Sequence, residues 1–149
     1  MAAVRVTLEQ AGGVLRRRDL LARGISDWQI SVALRAGEIV RARQGWFAVP
    51  VLPDTVMRAL SVGGFVAGMA ALESYGVWIP GGRDHRILMA RNASRFSRRA
   101  RSAGAEIVWG AATHPDPTSR RSSWRAAPLE AFAQVLSTCD RDTAIVLAD

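Results

Sequence analysis

The sequence contains no lysine: all 20 of its basic residues are arginine. That excludes a Walker A phosphate loop, a Schiff-base lysine, a Ser-x-x-Lys acylation site and a nuclease centre that needs a lysine. Cysteine and histidine are nearly absent too. One Cys (Cys139) and two His (His85, His114) exclude a disulfide framework. They also exclude zinc sites of four cysteines or of paired cysteines and histidines. Asp84-His85 and His114-Pro-Asp116 come nearest to an acid/base or metal pair, but Asp and His beside turns are more often caps, and two His have no fixed partner spacing. Cys139 is followed by Asp140 and Asp142, whose charge disfavours a thiolate. There is neither a Gly-x-Ser-x-Gly elbow nor a Gly-x-Gly-x-x-Gly loop. The expectation is a protein that is not an enzyme and holds no cofactor or metal.

Long apolar runs are lacking as well. Ala59 to Gly82 has Glu73 as its single charge, but Gly63, Gly64, Gly68, Gly76 and Pro80 divide it. It reads as two short buried elements rather than a membrane span. Met1 to Val4 is too short for the apolar core of a signal peptide, and Arg5, Glu9 and Arg16 follow. No membrane partner and a cytoplasmic location are the expectation.

What remains is a chain of 149 residues, 49% apolar and 22% charged, with a net charge of +7. A normal core can form, and one domain or two small ones fit the length. A GC-rich genome would account for arginine in place of lysine. It does not account for the excess over acid, which is an electrostatic property in its own right. Residues 1–50 carry 8 Arg against 4 acids and residues 83–125 carry 10 against 3, with an apolar zone between them. Two modules follow from this, residues 1–50 and 54–149, joined at Val49-Pro-Val-Leu-Pro53, where two prolines interrupt helix and sheet alike.

In the first module, Thr7–Ala11 ends a short helix at Gly12-Gly13, and Asp19–Ala22 forms a second, stopped by Gly24. Ser26-Asp-Trp-Gln29 is a capping box opening a third helix that stops at Gly37. Ile39-Val40 and Trp46–Val49 are β-prone runs around a turn at residues 41–45. The order is that of a winged helix-turn-helix. In the second module, helices are expected at Thr55–Val62, Ala67–Tyr75 and from Pro128 to about Thr138. Strands are expected at His85–Ala90, Glu106–Trp109 and Ser123–Ala126, and a last element begins at Ala144. The fold class is therefore α+β: a winged helix-turn-helix followed by a small α+β domain.

On the third helix, Ile30, Ala33 and Leu34 share one face, while Trp28, Val32 and Arg35 share the opposite one, flanked by Gln29 and Ser31. A helix in the major groove uses such a face: Arg35 for guanine, Gln29 for adenine, Val32 for a thymine methyl. The bland alternative has Trp28 folded back on the hairpin and Arg35 merely solvated. In the hairpin, Arg41 and Arg43 alternate with Val40 and Ala42, so both are expected on one side, with Gln44 at the tip, facing phosphate. An edge strand protected by charge fits equally. Arg16-Arg17-Arg18 precedes the second helix, where phosphate contact or simple solvation is expected. A second basic patch, Arg95, Arg98, Arg99 and Arg101, with Arg83 and Arg86 upstream, carries no base-reading pattern and is a phosphate binder or a solvated loop.

Gly13 to Ser26, Ala36 to Arg41 and Arg43-Gln-Gly45-Trp-Phe47 resemble the N-terminal winged-helix domain of AbiEi-type antitoxins, a domain frequent in actinobacterial proteins. That pattern has a Gly-Ile-Ser turn, then Gly-x-Ile/Leu-x-Arg-x-x-x-Gly-x-Tyr/Phe in the wing. Gly68 to Val77, Pro128 to Phe132 and Ala144 to Asp149 resemble later segments of the family more loosely. The resemblance implies binding of double-stranded DNA by an antitoxin-type repressor of a type IV toxin–antitoxin system, with a cognate toxin as a further partner. Relatives also continue into a domain like very-short-patch repair endonucleases, and this chain stops about where that would begin. The alternative is then the DNA-targeting part of such a nuclease. A third reading is a toxin-neutralising module using the apolar zone 59–82. A helix-and-wing unit gains selectivity as a dimer, so a homodimer is a candidate state, although no coiled-coil heptad is visible.

Overall fold

A computed structural model describes residues 3–79, 85–90, 104–110 and 124–148. Among them lie seven helices and two three-stranded sheets, a mixed α+β arrangement. The first part runs α1 (Ala3–Gln10), β1 (Val14–Arg16), α2 (Arg17–Ala22), α3 (Asp27–Arg35), β2 (Val40–Arg43) and β3 (Trp46–Ala48). The local signals act as expected. Gly24 and Gly37 adopt φ of 81° and 70° after α2 and α3, a conformation that costs other residues about 1–2 kcal/mol. Both halves of the capping box form at Ser26 and Gln29.

The sheet order is β1-β3-β2, all antiparallel. Its two faces do different work. Leu15 and Phe47, paired across β1 and β3, belong to a core with Val4, Leu8, Leu20 and Ile30 from the three helices. Val14 and Ala48, paired next to them, belong to a second core with Val56, Leu60 and Val66. The sheet thus lies between helices α1–α3 and the second core, so Val56, Leu60 and Val66 pack on its far side. An indole N–H extends this seam: Trp124 Nε1 donates to Gly12 O at 2.8 Å.

The second part comprises α4 (Asp54–Ser61), β4 (Phe65–Val66), α5 (Gly68–Ser74), β5 (Arg86–Ala90), β6 (Glu106–Gly110), α6 (Pro128–Leu136) and α7 (Arg141–Ala148). Here β4 pairs antiparallel with β5, and β5 parallel with β6. Of the strand expected at residues 123–126, Ser123 lies outside the described residues, and the rest forms one bridge between Val66 and Arg125. Two strands were not expected, β1 and β4, of three and two residues. The stretch 41–45 is not all turn, since β2 continues to Arg43. The apolar zone read as a toxin-contact surface is mostly core. Ala59, Leu60, Val62, Val66, Ala71 and Leu72 are buried, leaving Val77 and Trp78 as its exposed large apolar side chains among the described residues. No helix among the described residues is long and apolar enough to cross a membrane.

Candidate functional site

The outer side of α3 is built from its first turn upward. Ser26 N–H donates to Gln29 Oε1 at 2.8 Å, Ser26 Oγ lies 3.0 Å from the same oxygen, and Gln29 N–H donates to Ser26 Oγ at 3.3 Å. Arg17 locks the same turn from α2, with Nε donating to Asp27 Oδ1 at 2.8 Å and the guanidinium's second arm reaching Oδ2. That hydrogen bond, and then the charge of Asp27, raise the pKa of Arg17. Beyond this fixed start, Trp28 is 68% exposed. Ser31 and Arg35 are exposed and Val32 half-buried, and Arg35 Nε lies 3.4 Å from Ser31 O. Trp28 and Val32 also border a groove of about 130 Å³ whose other wall is Ala3 and Val4 of α1. The arrangement is a short capped helix displaying an indole in its first turn and a guanidinium at its last residue.

Three expected site residues are committed elsewhere. Gln29 cannot offer a free amide edge to adenine, because its carbonyl oxygen closes the capping box. Arg17 is held bidentate by Asp27. Arg86, 10% exposed at its side chain, pairs with Glu106 Oε2 at 3.1 Å and donates to Gln134 O, so it does not extend a basic surface. Arg18 remains largely exposed, 3.5 Å from Asp19 Oδ1.

The hairpin departs from simple alternation. Arg41 lies opposite Phe47, but Arg43 lies opposite Trp46, because a bulge at Ala42 adds one residue to β2. A bulge breaks the period of two, and the expectation that both arginines share a side fails. Arg41 is on the Phe47 face with the helices, its guanidinium 5.8 Å from the Phe47 ring. Arg43 is on the Trp46 face together with Arg16, which pairs with Trp46 in β1 and stacks 4.5 Å over its ring. Gln44 is exposed at the tip. The structure therefore brings together Trp28, Ser31, Val32 and Arg35 on α3, puts Arg41 on the helices' side of the sheet, and takes Arg16 and Arg43 to the other side. Trp46 was overlooked as a partner of those arginines; its position next to Phe47 in a strand was the available signal, since neighbours face opposite ways.

Arg95, Arg98, Arg99 and Arg101, like Arg83 and His114, lie outside the described residues. Among the described residues no three His, Cys, Asp or Glu side chains come together as a metal cluster would need. No protein-family model matches the chain, and no curated protein matches it.

Proposed function

We propose that this protein is a winged helix-turn-helix protein that binds double-stranded DNA sequence-specifically and acts as a repressor of antitoxin type. The observation that carries the reading is the outer side of α3, where Trp28 is 68% exposed in the first turn and Arg35 is exposed at the far end of a helix clamped at its start. An exposed indole is costly to leave in water, and a cationic, partly apolar helix face complements base edges in a major groove. The element order α1-β1-α2-α3-β2-β3 with sheet order β1-β3-β2 supports it, since a helix pair followed by a hairpin is how such domains present a recognition helix and a wing. In this reading Trp28, Ser31, Val32 and Arg35 contact bases, while Arg18, Arg41 and Gln44 hold backbone phosphates. Gln29 and Arg17 hold the recognition helix in place.

Selection of bound sites from random duplexes, followed by anisotropy titrations, tests the proposal. With Arg18 and Arg41 as the phosphate-neutralising cations, log K falls with log salt at a slope of about −2 per bound chain. Arg35→Ala costs about 1–3 kcal/mol at one base-pair position, whereas Arg41→Ala weakens all sequences alike. Binding without salt dependence, or equal loss on selected and random duplexes for Arg35→Ala, overturns the reading. Repression of a reporter by the selected site tests the regulatory part.

A further inference from the structure

The face of the first sheet that turns away from α3 borders a cleft of about 270 Å³. One wall carries Arg16, Arg43 and Trp46, and the other carries Leu60 at the end of α4 and Phe65 of β4. Gly63 and Gly64 complete it with bare backbone. None of these lining residues is acidic. Two arginines thus line one small concavity with an aromatic wall, the Trp46 and Phe65 rings meeting edge to face at 6.4 Å and 68°. Arg16 is under electrostatic pressure there. Its Nε–H is buried with no acceptor, which leaves a charged donor unsatisfied. Burial first, and then the charges of Arg18 and Arg43, push its pKa down, with Asp19 acting the other way. A negative group seated between Arg16 and Arg43 would relieve that repulsion.

We infer that this cleft binds a small aromatic anion, its carboxylate or phosphate held by Arg16 and Arg43 and its ring against Trp46 and Phe65. The volume lies just under the roughly 300 Å³ at which drug-sized pockets begin, so the occupant is a single ring with one anionic group. Guanidinium forks match carboxylate and phosphate oxygens equally well, and the test separates the two. A duplex lying along α3 is on the other side of the sheet, so the occupant is a small molecule rather than the DNA backbone. That exclusion rests on the DNA-binding reading; the cleft itself does not, since it shares no residue with the α3 face.

Calorimetric titration of the full chain with benzoate, phenyl phosphate and inorganic phosphate at constant ionic strength tests it. At least one aromatic anion is expected to saturate a single site with Kd on the order of 0.1–1 mM, and inorganic phosphate to bind about tenfold more weakly. Arg16→Gln and Arg43→Gln each lose about tenfold or more in affinity, while Arg23→Gln, which removes the same charge from the exposed end of α2, leaves it unchanged. Should Arg16→Gln fail to fold, Arg43→Gln on the hairpin decides alone. No saturation with either aromatic anion up to about 10 mM, equal weakening by Arg23→Gln, or inorganic phosphate binding as tightly as phenyl phosphate overturns the proposal.

Discussion

Gln29 is the residue where a structural role and a reading role exclude each other, and its replacement separates them. Gln29→Ala removes the 2.8 Å bond from Ser26 N–H and the 3.0 Å contact with Ser26 Oγ, and leaves the 3.3 Å bond from its own N–H to that hydroxyl. Ser26→Ala removes the two contacts made by the hydroxyl and leaves the backbone bond. Ser26 is exposed, so water replaces part of what is lost, and each change costs about 0.5–1 kcal/mol. Because the two share contacts, the double replacement costs less than the sum by about 0.5 kcal/mol. With a urea m-value of about 2 kcal/mol/M, each single variant lowers the unfolding midpoint by roughly 0.25–0.5 M. Tryptophan fluorescence and far-UV circular dichroism followed together through the transition measure this. In DNA titrations Gln29→Ala should weaken binding modestly and to the same extent at every base-pair position. An unmoved urea midpoint, with lost discrimination at a single adenine, refutes the capping argument and returns Gln29 to base readout.

Glycine replacements separate crowding from backbone conformation. A Cβ on Gly64 would stand 2.2 Å from Ile87 Cγ2 and 2.9 Å from Leu88 O, so Gly64→Ala destabilises by about 1–3 kcal/mol, and Ile87→Ala in the same chain should recover part of that in a double-mutant cycle. Gly24 has open space around it but φ of +81°; Gly24→Ala should cost about 1–2 kcal/mol and Gly24→Asn clearly less, because Asn tolerates that conformation, and equal costs would show that strain is not the cause. Burial raises the pKa of Glu130 in α6, so the folded chain holds this proton more tightly than the unfolded one. Its contribution to stability is present at low pH and lost as pH rises through the raised value. Thermal unfolding of Glu130→Gln should therefore improve relative to the parent between about pH 4 and pH 7, and a constant difference across that range refutes the shift.

What the sequence made legible, and what it did not, follows the distance over which each determinant acts. The capping box, the glycines after α2 and α3, and Pro128 at the start of α6 each settle within a few residues, and all are where the pattern puts them. The inward stripe of Ile30 and Ala33 is likewise a matter of helical period alone. β1 and β4 escape because three and two residues carry no period, and only pairing with β3 and β5 defines them. Arg17 escapes for a related reason. Its neighbours mark it as one of three solvated arginines, but folding α3 back against α2 brings Asp27, ten residues on, into bidentate range. The hairpin shows the limit most sharply. Strict alternation from Val40 would keep Arg43 beside Arg41, on the side of the sheet that faces the helices. One extra residue at Ala42 sends Arg43 across to Trp46 and Arg16 instead. Nothing in Arg41-Ala-Arg43 announces that insertion, because the bulge is a property of the pairing and not of the strand. The face on which a hairpin shows its charge is therefore set by register, and here a single residue of register decides whether an arginine belongs with the α3 side or with the cleft behind it.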